Sequence, residues 1–195
     1  MRPTPVLKTL LFFTVVLVLT VTGFAFGILH REDFDSRVRF SLLDHTGERV
    51  THEDMRGQYL LVYFGFTSCV QTCPLQMSKL TQVVRQLDQD KIEKRITPVF
   101  ITVDPKRDSV KRLNDYLEHF DSRFIGLTGT PEALARATKS FNTLFTKKEP
   151  ALSDNYDVVH SSVIYVVDPL SRIVDYIPFE ADAAAIAWRV KGLIL

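Results

Sequence analysis

Tyr59-Leu60-Leu61-Val62-Tyr63-Phe64-Gly65-Phe66-Thr67-Ser68-Cys69-Val70-Gln71-Thr72-Cys73-Pro74 is the stretch that decides the fold. Its first half, Tyr59 to Phe66, is a near-continuous apolar run, the pattern of a strand covered on both faces and so central in its sheet. Beyond it, Met77, Leu80, Val84 and Leu87 recur at helical spacing. Pro74 suits the first turn of that helix, where a missing N–H costs nothing. Cys69 and Cys73 therefore lie on a strand-to-helix loop that runs into a helix N-terminus. The partial positive charge there favours thiolate over thiol, the form that both attacks disulfides and binds metal.

Outward from this unit the pattern repeats. An apolar strand from Ile96 to Val103 is followed by Asp104-Pro105-Lys106-Arg107-Asp108 and a helix carrying Val110, Leu113, Leu117 and Phe120. Phe124 to Leu127 is a short strand, and Thr130-Pro131 is an N-cap and first-turn proline for a helix to about Phe141. Such alternation specifies an α/β sheet with parallel members. Upstream, Val38, Phe40 and Leu42 alternate with Arg39, Ser41 and Leu43, which predicts a half-buried strand over Val38 to Asp44. His45-Thr46-Gly47-Glu48 supplies a turn, and Thr51 caps a short helical turn through Met55. Downstream, Thr143 to Val159 contains Pro150 and no clear period, so it reads as a long connection of the kind that is often functional. His160 closes it, just before a β-branched strand from Val163 to Val167 that ends at Asp168-Pro169. Ile173 to Ile177 returns as its hairpin partner, and Ala181 to Leu195 is a final amphipathic helix.

The 195 residues, 46% hydrophobic, suffice for one sizeable core. With 24 basic residues against 23 acidic, there is no phosphate-tracking surface and no case for nucleic acid. Thr9 to Leu29 carries no charge and has about the ~20 residues a helix needs to cross a membrane. Arg2 and Lys8 precede it, while His30, Arg31, Glu32 and Asp33 follow, so the positive-inside bias leaves the N-terminus cytoplasmic. The expected organisation is a cytoplasmic 1–8, a transmembrane anchor at 9–29, a juxtamembrane linker at 30–37 and a folded domain at 38–195. Gly23-Phe24-Ala25 offers the alternative of signal-peptide cleavage. Either way the domain is delivered to the extracytoplasmic side, periplasmic or equivalent.

In that compartment the only two cysteines can be a disulfide, a redox couple or a soft-metal site. A local disulfide over so short a ring would constrain little unfolded-chain entropy. Catalytic thiol–disulfide exchange usually places two residues between the cysteines, not three. Two thiolates with an imidazole suit Cu(I) and, with a further ligand, Cu(II). A structural zinc site usually closes with four protein ligands. Spacing does not choose the imidazole among His30, His45, His52, His119 and His160. His160 differs in ending the long connection and entering a strand, where it can reach over the cysteine edge of the sheet.

The chain resembles the Sco/SenC family of copper chaperones across nearly all of its exported part. The matches are Phe64-Gly65-Phe66-Thr67-Ser68-Cys69 to Cys73-Pro74, Val103-Asp104-Pro105-Lys106-Arg107-Asp108, Gly126-Leu127-Thr128-Gly129-Thr130-Pro131, and Tyr156 with His160-Ser161 before Tyr165 and Asp168-Pro169. The resemblance implies a thioredoxin-like fold, a central mixed sheet flanked by helices. It implies that Cys69, Cys73 and His160 bind one copper ion, as Cu(I) or Cu(II). It further implies a role in assembling the binuclear copper centre of cytochrome c oxidase, by delivering copper or by reducing cysteines of the receiving subunit. The implied partners are that subunit or another copper protein, a copper donor or a thiol reductant, and the membrane through the N-terminal helix. The alternatives are a membrane-tethered thiol–disulfide oxidoreductase, with Cys69 and Cys73 as its redox pair, and a copper or redox sensor.

Two positions depart from the family pattern. Val70 and Gln71 stand where Pro and Asp are common, and Val159 stands before the histidine where an acidic or amidic residue is frequent. Changes around a ligand set alter affinity and redox poise. Asp104, Arg107 and Asp108 also match the family, but a turn and a helix cap from Asp108 or Ser109 account for them, and Phe64 and Phe66 read as core.

Overall fold

In a computed structural model the chain divides into two units, Met1–Asp35 and Ser36–Leu195. The structure describes residues 14, 17, 18, 20, 37–89, 96–143, 145–148, 157–160, 163–178 and 180–195, with backbone alone at 145–148 and 157–160. Of the first unit, Thr14, Leu17, Val18 and Thr20 are helical. The anchor expected at 9–29 otherwise lies outside the described residues, among which no helix is long and apolar enough to cross a membrane.

The second unit runs β1 (Ser41–Asp44), β2 (Arg49–Thr51), β3 (Tyr59–Gly65), α1 (Thr72–Gln89), β4 (Ile96–Thr102), α2 (Val110–Leu117), β5 (Ile125–Thr128), α3 (Pro131–Ser140), β6 (Phe145–Lys148), β7 (Asp157–His160), β8 (Val163–Val167), β9 (Ile173–Pro178) and α4 (Ala183–Ile194). Seven strands form one mixed sheet in the order β2-β1-β5-β4-β3-β8-β9. The apolar run is its middle: β3 pairs parallel with β4 from Tyr59↔Ile96 to Gly65↔Thr102, and antiparallel with β8 from Leu60↔Val167 to Tyr63↔Ile164. Every residue of β4 is buried, as expected of a strand with helices over both faces.

Each predicted strand and helix of this sheet is present, with ends shifted by a few residues. Val38, Phe40 and Leu42 are buried and Arg39 and Ser41 exposed, so the predicted alternation holds although the strand proper starts at Ser41. Thr130 caps α3, its hydroxyl accepting from Ala133 N–H at 3.2 Å with Pro131 next to it. Gly47 takes a φ of +92°, the left-handed conformation that the turn after β1 requires.

One strand is added to the sequence reading and one reading is corrected. The segment after Gly47 forms a strand, β2, paired antiparallel with β1, before the turn at Thr51, where Asp54 accepts from both the N–H and the hydroxyl of Thr51. The long connection of Thr143 to Val159 is in part regular: β6 and β7 pair antiparallel as a separate two-stranded sheet, with Phe145 opposite His160. Both strands are short and gain their order from pairing with another segment, which a local hydrophobic pattern cannot report.

Aromatic side chains pack on both faces of the central strands. On one, Phe64 meets Phe141 and Tyr165 edge-to-face at centroid distances of 5.1 and 5.7 Å. On the other, Tyr63 neighbours Phe100 at 6.2 Å and Phe100 neighbours Tyr116 at 5.6 Å. Such pairs add roughly 0.5–1.5 kcal/mol each beyond their buried area. Phe64 and Phe66 are core, as predicted.

Candidate functional site

The chain leaves the carboxyl end of β3 at Gly65 and turns at once, Cys69 N–H donating to the Phe66 carbonyl at 3.2 Å. α1 begins at Thr72, so Cys73 stands in its first turn with Pro74 beside it. The two cysteines are brought together. Cys73 N–H points at Cys69 Sγ at 3.4 Å, and neither sulfur is in a disulfide. They differ in access, since Cys73 is wholly buried and Cys69 half-buried. Gly65 makes this packing possible, because a Cβ there would sit 3.1 Å from Cys73 Sγ and 2.7 Å from the Phe100 ring.

The thiolate expectation is corrected for Cys73. Burial pushes its pKa from the ordinary 9.0 up to about 12, while the Phe66 backbone and the Tyr63 hydroxyl, which donates to Sγ at 3.6 Å, pull the other way. A helix N-terminus offers a partial charge, but here the loss of hydration outweighs it. At neutral pH Cys73 is therefore a thiol, and whatever takes its sulfur must also release its proton.

The turn is held from the side. The Asp108 carboxylate, 1% exposed, accepts from Thr67 N–H at 3.0 Å, the Thr67 hydroxyl at 2.6 Å and the Thr102 hydroxyl at 2.6 Å. Arg112 adds bonds to the Thr67 and Ser68 hydroxyls at 2.8 and 3.2 Å. Asp108 is thus not the helix cap. Ser109 caps α2, accepting from Arg112 N–H, and Asp108 pins the cysteine turn. Asp104 does shape the predicted turn, its carbonyl accepting from the N–H groups of Arg107 and Asp108. Its buried carboxylate pairs with Arg107, whose guanidinium lies 5.5 Å from the centre of the Phe66 ring. The Asp108 contact spans 41 residues. A sequence signal existed only as an acid at the end of a buried strand, and nothing local named Thr67 as its partner.

The histidines sort by their neighbours. His45 Nδ1 accepts from Gly126 N–H at 3.3 Å, His52 Nδ1 lies 3.2 Å from the Phe40 carbonyl, and His119 Nδ1 lies 3.1 Å from the Asp115 carbonyl. His30 lies outside the described residues. His160 is the last residue of β7, and its side chain lies outside the described atoms. Among the described residues no three His, Cys, Asp or Glu gather as a metal site. What is described is a pair of adjacent sulfurs, soft donors suited to Cu(I) and to other thiophilic ions. Val70 beside them is 89% exposed, so this departure from the family pattern faces solvent.

Residues 30–195 match the family model described as SCO1/SenC. A zebrafish (Danio rerio) protein named as a mitochondrial SCO2 homolog is 43% identical over 137 residues, 70% of this chain and 49% of that protein. An SCO2-like protein of Rickettsia felis is 37% identical over 154 residues, 78% of this chain and 74% of that one. The chain spans about half to three fifths of the length of the first curated relatives it matches. Among solved structures, Arabidopsis thaliana ScoI with copper bound is 32% identical with a TM-score of 0.76, covering 81% of this chain and 97% of that one.

Proposed function

This chain belongs to the SCO1/SenC family, and from that membership we propose that it is a copper-binding assembly factor that delivers copper to, or reduces the cysteines of, the binuclear copper centre of cytochrome c oxidase. The observation that carries the reading is the pair of reduced sulfurs at the β3–α1 turn, in a fold shared with a relative solved with copper bound. Copper is cargo here, held by Cys69, Cys73 and His160 and surrendered to a partner by ligand exchange.

Three features support His160 as the third ligand. His45, His52 and His119 each direct Nδ1 to a backbone group elsewhere. His160 precedes β8 by two residues, and β8 enters the sheet with Ile164 opposite Tyr63, so the chain arrives at the same end of β3 from which the cysteine turn leaves. The imidazole also completes a donor set suited to Cu(I). Loading requires Cys73 to lose its proton, which makes affinity rise with pH.

The same turn supports a second reading, a thiol–disulfide reductase acting on the client's cysteines. An accessible sulfur beside a buried one can attack a disulfide through Cys69 and resolve the mixed disulfide through Cys73. We place the domain outside the cytoplasm on a membrane anchor at 9–29, with the oxidase subunit and a copper donor or thiol reductant as partners.

An anaerobic Cu(I) titration of the reduced protein tests the reading. It should bind one copper per chain, and Cys69→Ser, Cys73→Ser and His160→Ala should each weaken binding by at least about 10-fold. Unchanged affinity in both Cys69→Ser and His160→Ala refutes the site. Disulfide reduction that survives His160→Ala but not Cys69→Ser identifies the reductase.

A further inference from the structure

Acids and bases nearly balance over the whole chain, yet cations gather at one pocket of about 540 Å³ between α3 and the stretch that enters β1. Arg39, His52, Arg136 and Lys139 line it together with Phe40 and Ala133. Among the described residues no Asp or Glu lines it, and Glu132, one turn before Arg136, lies outside the lining. Ala133, Arg136 and Ser140 recur at three and four residues along α3, so they share one face of that helix. The face is held against the incoming chain, because the Ser140 hydroxyl accepts from Arg39 N–H at 3.1 Å. His52 is fixed as well: its N–H donates to the Phe40 carbonyl at 3.2 Å, and its ring meets the Phe40 ring edge-to-face at 6.1 Å. Like charges three residues apart on a helix repel. The helix C-terminus favours Lys139 in the last turn, but Arg136 lies a turn earlier and Arg39 comes from another segment. An anion seated among the three relieves that repulsion.

We propose that this pocket binds the phosphate headgroup of an anionic phospholipid and so seats the folded domain on the membrane that tethers it. The source of the phosphate follows from the tether and rests on the anchor proposed at 9–29. From Leu29 to Arg39 the chain reaches at most about 36 Å when fully extended, which keeps the pocket within that distance of the bilayer. A ligand presented in this way has an effective concentration on the order of millimolar, so even a weak site is filled. The lining suits the ligand. Arg39, Arg136 and Lys139 bring charged N–H donors for the phosphate oxygens, and Phe40 and Ala133 bring apolar surface for the carbons behind them.

The full chain in a non-ionic detergent is titrated calorimetrically with dihexanoyl phosphatidylglycerol, dihexanoyl phosphatidylcholine, inorganic phosphate and a glutamate-rich peptide. Phosphatidylglycerol should bind at least about 10-fold more tightly than the other three. Arg136→Gln or Lys139→Gln should each weaken it about 5-fold, and the two together about 30-fold. Both side chains are exposed, so these variants should unfold at the wild-type temperature. Arg136→Lys should keep the lipid, which separates lost charge from lost fold. Equal affinity for phosphatidylcholine, or a double variant within about twofold of wild type, overturns the proposal. Inorganic phosphate bound as tightly overturns it in favour of a free-phosphate site, and the peptide bound as tightly overturns it in favour of an acidic protein partner. Alkaline carbonate extraction of the full chain from membranes reports on the anchor separately: a chain that carbonate releases, with its phosphatidylglycerol selectivity intact, loses the tether and keeps the pocket.

Discussion

Asp108→Ala tests the account of how the cysteine turn is held. The substitution removes the acceptor for three donors, Thr67 N–H at 3.0 Å and the Thr67 and Thr102 hydroxyls at 2.6 Å each. A buried donor left unpaired costs about 1–3 kcal/mol. The Thr67 hydroxyl can reorient while still accepting from Arg112, so the cost falls on the Thr67 N–H and on the wholly buried Thr102 hydroxyl. Their sum gives an expected loss of about 2–6 kcal/mol in urea unfolding followed by circular dichroism, a large share of the roughly 5–15 kcal/mol of an ordinary domain. Thr67→Val removes one side of the same contact and should cost about 1–2 kcal/mol. Because the two residues share bonds, the double variant should lose less than the sum, by about 0.5–3 kcal/mol. A loss below about 1 kcal/mol for Asp108→Ala, or strict additivity in the cycle, would show that the carboxylate does not pin the turn.

Gly65→Ala places a methyl 2.7 Å from the Phe100 ring and 3.1 Å from Cys73 Sγ, and overpacking of this kind costs about 1–3 kcal/mol; urea unfolding at wild-type denaturant concentrations would contradict the close approach. With Cys73 raised from 9.0 to about 12, the unfolded chain sheds this proton first as pH climbs, so its contribution to stability is whole below pH 9 and is lost towards pH 12. Cys73→Ala should therefore flatten the decline of unfolding free energy in that window by about 1.4 kcal/mol per pH unit, and identical slopes in the two proteins would contradict the buried thiol. Thr130→Ala removes the cap that accepts from Ala133 N–H and should cost about 1 kcal/mol in the same unfolding assay, a shortfall indicating that Pro131 alone sets the start of α3.

What the sequence revealed and what it hid follow from range. The strands β3 and β4 and the cap at Thr130 rest on patterns a few residues long, and they stand where those patterns place them. Strand β2 is three residues long and exists through its pairing with β1, and β6 and β7 likewise order each other. The cysteine turn was legible because a strand, two cysteines and a proline are consecutive. Its support was not, since Asp108 and Arg112 reach it from more than 40 residues away. The Cys73 thiol shows the same limit in electrostatic form. Proximity to a helix N-terminus can be read from the chain, but the depth of burial belongs to the assembled layers, and burial decided the outcome.

The inequality between the two sulfurs gives the site a front and a back. Cys73 is rooted in an 18-residue helix whose buried face includes Met77, Leu80, Val84 and Leu87, so moving it means moving that helix. Cys69 rides on the turn ahead of it, within reach of solvent and of the exposed Val70. Any visiting molecule meets the sulfur of Cys69 first, with that of Cys73 behind it. Were copper held there as proposed, hand-over at such a doorway would run in a fixed sequence, which would guard against loss of the cargo to a passer-by that touches the surface without docking.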